Sequence, residues 1–371
     1  MRSPNIQYRQ GLDHLRGLAA LLIVLYHGLH VLSFFPRAQG GDPYRFWIHT
    51  YNPILAVIEE GHSAVGFFIV LSGFLFSVSA LGKQVLYGAF IRNRLLRIAP
   101  LFMFVLVVGT VAHPGSYSFL AVVQTLAFQA DFPGAAQAGA FSGMFWAVAV
   151  EFQLYFIFPF MHRFTEQYGA RWAFGCIALC IAMRLVAANV GTSNPRDIAY
   201  GHVLGRLDQF VIGMLAARLF RRVETLELPW GAISVAAFGA VVAVLVGFNQ
   251  LGGYPDLSLW KVLWPTVEAL TWAPLLLAYT RFAERVPRWV GSPLAAFGAI
   301  SYSIYLLHNV CLVLLSRVWY PSMHPNPDAQ ALLFTLCVVL PALIALATLS
   351  YQVVERPFLG LRVKYLQEKT G

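Results

Sequence analysis

LDHLRGLAALLIVLYHGLH, residues 12–30, decides the class of this chain. From Gly17 to Tyr26 it is uncharged and almost wholly aliphatic, and it is flanked by Asp13, Arg16, His27 and His30. About 20 mostly apolar residues carry a helix across the hydrocarbon layer of a bilayer. Stretches of that kind recur at 16–36, 62–82, 98–114, 143–162, 172–190, 203–220, 230–248, 261–280, 294–316 and 330–354. The pattern predicts an all-α, polytopic membrane bundle of about ten transmembrane helices. Segment 117–130 is apolar but short. It reads as a re-entrant or interfacial helix, or as an extension of the third span.

Composition supports this and excludes other classes. The 371 residues are 58% hydrophobic and 12% charged, with a mean hydropathy of +0.64. Soluble domains average about 25% charged residues, so this chain cannot cover a water-facing surface of ordinary polarity. The net charge of +9 does not point to nucleic acid, which needs a basic face on a soluble fold. Here the basic residues form short clusters between apolar runs. Cys176, Cys180, Cys311 and Cys337 fall inside apolar segments without CxxC spacing. They read as small core residues, not disulfides or metal ligands, and no metal site is expected. No cleavable signal peptide is expected either, because no small-residue cleavage site follows the first run.

Basic residues collect in cytoplasmic loops. With the N-terminus inside, alternate segments carry Lys83, Arg92, Arg94 and Arg97, then Arg163 and Arg171, then Arg218, Arg221 and Arg222. Arg281, Arg285 and Arg288 follow, and the tail adds Arg356, Arg362, Lys364 and Lys369. The opposite loops hold mainly Arg37, Arg45, Arg196, Lys261 and Arg317. The expectation is a multi-pass protein of the cell (inner) membrane with both termini cytoplasmic. One integral membrane domain, 1–371 with a core of about 8–360, accounts for the whole chain.

Polar side chains at bilayer depth are costly and usually face a cavity or a partner. Arg16 and His27 lie eleven residues apart. That is close to three helical turns, roughly 16 Å of rise on nearly one face. They are too far apart to pair directly, but one face can offer an anion-binding guanidinium and, deeper, an imidazole suited to general-base work. A positive-inside anchor and a packed histidine explain the same spacing. In the second span the glycines read as close-packing positions and His62 as an interfacial residue. In FIRNRLLRIAPLF, Arg94 and Arg97 share a helical face, with Arg92 nearby. A paired guanidinium face recognises phosphate, and a topology anchor is the other reading. WAVAVEFQLYFIFP places Glu151 inside an apolar helix, beside Gln153 and Tyr155. Such a carboxylate needs a partner: an imidazole to orient, sugar hydroxyls, or an arginine. Arg206 and Asp208 open the sixth span, while Ser301, Tyr302, Tyr305 and His308 follow one another along the ninth. Glu355, Arg356 and Pro357 read as a helix end.

Taken in order, these elements resemble the membrane-bound acyltransferase 3 family over nearly the whole chain, from about residue 8 to 360. The resemblance rests on Arg16 with His27, FFIVLSGFL at 67–75, Arg94 with Arg97, WAVAVEFQLY at 146–155, ISYSIYLLH at 300–308 and the E-x-P at 355–357. A fused extracytoplasmic SGNH-type domain, present in some relatives, is not expected here.

The resemblance implies an acyl donor, usually acetyl-CoA, used from the cytoplasmic side. It implies a hydroxyl acceptor on a carbohydrate or glycolipid of the cell surface, with a separate extracytoplasmic transfer protein as a possible partner. Under it His27, Arg16 and Glu151 are the catalytic candidates. Arg92, Arg94 and Arg97 are the donor-binding candidates, and Tyr155, Tyr302 and His308 the substrate-binding ones. His27 would act either as a general base or as an acyl carrier. A transporter or flippase for a glycan or lipid-linked substrate, and a non-catalytic scaffold, remain the other classes. Aromatic outer segments such as Phe46–Tyr51 would stack sugars or simply form an interfacial belt.

Overall fold

The computed structural model describes residues 5, 7–115, 117–191 and 194–368. Lys369, counted above with the basic tail, lies outside them. The chain is a helical bundle, and its only sheet among the described residues is a two-stranded one. The helices used below are α1 (Gln10–Leu29), α2 (Pro53–Glu59), α3 (Ser63–Ala80), α4 (Tyr87–Ala112), α5 (Phe119–Leu126) and α6 (Phe145–Tyr168). They continue as α7 (Ala170–Val190), α8 (Val203–Val223), α9 (Trp230–Gln250), α10 (Trp264–Phe282), α11 (Arg288–Ala299), α12 (Ser301–Val318), α13 (Pro327–Phe334) and α14 (Leu340–Ser350).

Nine helical segments among the described residues are long and apolar enough to cross a membrane. The tenth expected span, 203–220, is α8. It is 21 residues long but too rich in charge to qualify by hydropathy. Parity argues that it crosses all the same. Asn5 donates to the Val363 carbonyl at 2.8 Å and accepts from the Tyr365 amide at 2.6 Å. Strand β1 (Lys83–Val85) pairs antiparallel with β2 (Leu366–Glu368). Both described ends therefore sit at one end of the bundle, which an even number of crossings requires.

Burial separates a centre from a perimeter. In α3, 83% of the span is buried, against 17% in α7 and 22% in α9. Outward apolar side chains such as Phe174, Val190 and Val235 are left for lipid. The centre is the crossing of α3 with α8, set by two glycines. A Cβ on Gly73 would strike the Phe210 carbonyl, and one on Gly213 the Val70 carbonyl. Without a hydrophobic force between helices in lipid, such backbone-to-backbone packing is what holds them.

Several boundaries differ from the sequence pattern. Helix α4 begins at Tyr87, so the arginine cluster continues the helix rather than preceding it. The stretch 294–316 is two helices, broken at Ile300, whose ψ of 7° is not helical. Helix α11 then lies against α1, where Gly298 meets the Asp13 backbone. Segment 117–130 supplies α5, eight residues capped by Ser118, whose hydroxyl accepts from the Ala121 amide at 3.1 Å. Its Phe119 and Leu120 are fully outward, and α5 is separate from the third span. Cys180 and Cys311 are buried, but Cys337 is exposed on the perimeter, so it is not a core residue; all four thiols are free.

Candidate active site

A cavity of about 770 Å³ opens toward the end that holds the described termini, and α1, α3, α4, α6, α11 and α12 wall it. Arg16, Arg94, Arg97, Glu151, Tyr155 and Tyr302 all line it. Arg16 donates to Asp13 at 2.9 Å, one turn back on α1. Arg97 pairs with Glu355 at 2.9 Å. Arg94 is buried, its guanidinium 4.8 Å from the Phe76 ring centroid and 5.4 Å from that of Phe90. It has no carboxylate partner among the described residues, and its Nε has no hydrogen-bond partner. Two arginines one turn apart thus carry different commitments.

Further in, Glu151 accepts from Ser72 Oγ at 2.7 Å and from the Tyr155 hydroxyl. Tyr302 donates to the Ile98 carbonyl at 2.9 Å. Tyr305 also lines the cavity. One turn beyond it on α12 stands His308, whose Nε2 is 3.1 Å from Nδ1 of His27 on α1. His308 is fully buried and His27 half-buried. The rings meet at 41° with centroids 4.9 Å apart, an edge contact through nitrogen rather than a stack.

The structure therefore joins the sequence candidates in two groups. One is the cavity set, and the other is the histidine pair just beyond its inner wall. Arg92 joins neither: it is exposed and, among the described residues, reaches only the Leu361 carbonyl, at 3.4 Å. Glu151 Oε1 accepts from Ser72 and Tyr155, while among the described residues His27 meets the Ile23 carbonyl and His308, not Glu151. Glu355 is more than a helix end. It is buried, accepts from Ser303, and holds Arg97.

Arg206 and Asp208, marked in the sequence, belong to a second polar region whose other members, Arg184 and Glu268, were not. Arg184 of α7 and Asp208 of α8 form a fully buried bidentate pair, at 2.9 and 2.8 Å. An arginine inside the apolar run CIAMRLVAA was the available signal. Arg206 lies 3.3 Å from Glu268, which also accepts from Gln209 at 2.6 Å. His62 faces neither lipid nor water. It is buried 2.9 Å from Glu60, among the rings of Tyr26, Tyr200 and Tyr254. Burial pushes the Glu60 carboxyl up to about 7, against the opposing pull of hydrogen bonds from Asn249 and Trp47. Burial likewise lifts Glu59 to about 9 and holds His62 well below the usual imidazole range.

A multi-pass bundle that gathers its polar side chains into an arginine-mouthed cavity beneath a histidine pair has the parts of a membrane-embedded group-transfer enzyme. The family model described as an acyltransferase domain, that of the acyltransferase 3 family, matches residues 9–350, and the chain belongs to this family. It is a membrane acyltransferase. It is 28% identical over 369 residues to the Komagataeibacter xylinus protein named "Putative membrane-bound transacylase BcsY", covering 94% of this chain and 82% of that one. No solved structure matches the chain significantly.

Proposed function

We propose that this acyltransferase moves an acetyl group from acetyl-CoA to a hydroxyl of a cell-surface carbohydrate or glycolipid. It does so as a single domain of the inner membrane with both termini cytoplasmic. The observation that carries the reading is the cavity itself: cationic at its mouth, apolar along its walls, and ending one helical turn short of the His27–His308 pair.

An acyl-CoA has the matching shape, with phosphates at one end, a long arm, and a thioester at the other. Arg94 receives phosphate, with Arg16 and Arg97 adding field. The arm passes Tyr302, Tyr305 and Tyr155, and Glu151 with Ser72 holds the polar side of the wall. His27 takes the proton from the acceptor hydroxyl as its oxygen attacks the thioester carbonyl. The new C–O bond forms, the C–S bond breaks, and the thiolate leaves with the proton His27 had taken. No acyl-histidine is needed on this route. The acceptor side is less constrained, and a separate extracytoplasmic protein is a suitable recipient where the final acceptor is remote from the membrane.

The test is release of free thiol and transfer of labelled acetyl by the purified full chain given acetyl-CoA, with the mass of surface glycans compared in cells with and without the protein. A lost acetyl mass together with acetyl-CoA turnover supports the reading. Absence of turnover with acetyl-CoA and longer acyl-CoAs would overturn it.

A further inference from the structure

His308 does not line the cavity, yet it is fully buried and its two ring nitrogens are both engaged. Its Nδ1 stands 2.6 Å from the Tyr305 carbonyl. A carbonyl only accepts, so with a neutral ring Nδ1 carries the proton and Nε2 is a lone pair. That lone pair faces Nδ1 of His27, at 3.1 Å. The same His27 nitrogen is 3.1 Å from the Ile23 carbonyl one turn back on α1. Both neighbours of His27 Nδ1 are thus acceptors, and that nitrogen must hold the His27 proton. Its Nε2 is left as the lone pair, with no hydrogen-bond partner among the described residues.

We propose that His308 is a positioning residue for His27: anchored by the Tyr305 carbonyl, it accepts from His27 Nδ1 and so presents His27 Nε2 as the base. The proposal rests on the reading of His27 as general base and adds which nitrogen acts and what holds it there. An unrestrained imidazole prefers its proton on Nε2, the tautomer that would face the hydroxyl with a donor. When Nε2 takes the substrate proton the ring becomes a cation, and its Nδ1–H bond to His308 becomes charge-assisted and stronger. This is the division of labour between a base and the group that orients it, here with an uncharged orienter. It also explains why the two turns of α12 do different things. Tyr305 faces the cavity with its side chain and fixes His308 with its backbone.

Ring-nitrogen shifts of the ligand-free full chain, labelled with ¹⁵N-histidine, test the geometry without any reaction. The His27→Gln variant identifies the His27 signals. The expected result is a protonated Nδ1 and a bare Nε2 on His27; the reverse overturns the proposal. In the acetyl-CoA assay, His308→Phe keeps the volume but removes the acceptor. It should lower kcat about tenfold or more at unchanged donor KM, and His308→Gln, whose amide oxygen accepts, should recover much of the loss. Wild-type kcat in His308→Phe reduces His308 to packing and overturns the proposal. If the wild-type chain turns over no acyl-CoA, the proposed function fails, while the nitrogen shifts still decide the His308–His27 geometry.

Discussion

Arg97 Nη1 and Glu355 Oε2 stand 2.9 Å apart across 258 positions of sequence, with the carboxylate wholly buried and the guanidinium reaching the cavity. Arg94, one turn earlier, shares the cavity but has no such counter-charge among the described residues. Arg97→Ala strands a buried carboxylate and should destabilise the fold by about 2–3 kcal/mol, below the range for a fully buried pair because the guanidinium is partly exposed. Adding Glu355→Gln should restore most of that. Thermal unfolding in detergent measures it, and a double variant no more stable than Arg97→Ala would refute the pairing argument.

Arg94→Ala strands no carboxylate and should cost less stability than Arg97→Ala, but it should weaken donor binding. A charge-assisted hydrogen bond contributes about 1.5–3 kcal/mol, or roughly ten- to a hundredfold in Kd. Calorimetric titration with acetyl-CoA reads this. Unchanged affinity in Arg94→Ala would remove the phosphate role.

His27→Ala should insert and fold normally, since the side chain is half-buried and its Nε2 has no partner among the described residues. Acyl transfer should fall by about 10²-fold or more, the usual worth of a general base. Full transfer by a well-folded His27→Ala protein would end the assignment.

Arg184→Leu leaves Asp208 without its counter-charge inside the bundle, a loss of about 3–5 kcal/mol. Pairing it with Asp208→Leu should be far milder, because both charges then leave together. The readout is the yield of monodisperse protein after extraction, and equal yields from the single and double variants would contradict the reading.

Glu60 supplies a pH dependence. Its carboxyl titrates near 4.5 when unfolded and at about 7 in the fold, where burial favours the neutral acid. Between those values the unfolded chain has already released the proton that the folded chain still holds. The Glu60 contribution is therefore complete below the lower value and is lost as pH rises through the upper one. Melting midpoints of the wild type should fall more steeply than those of Glu60→Gln from about pH 5 to about pH 7. A steeper fall in the variant would contradict the assigned direction.

Much of this was legible in the sequence because lipid simplifies the code. Runs of about 20 apolar residues mark crossings, and the first span already marked Arg16 and His27 as polar side chains on one helical face. Partners were not legible. Nothing local says that Glu355 closes on Arg97, that His308 meets His27, or that Glu151 spends its oxygen on Ser72 and Tyr155; those pairings follow from which helices touch. The burial of His62 and Glu60 was not legible either, because residues that cover them, including Tyr254 and Asn249, come some 190 positions later.

The charge carried by α8 has a consequence for how the protein is made. Arg206, Asp208 and Arg218 would hold this segment back from the bilayer if it met lipid alone. Helix α7 emerges just ahead of it in synthesis and carries Arg184, the partner of Asp208. Arg206 must wait for Glu268 of α10, two crossings later. Along the chain, then, the partner of Asp208 precedes α8 and the partner of Arg206 follows it, so a bilayer-inserted α8 would stay half-neutralised until α10 is made.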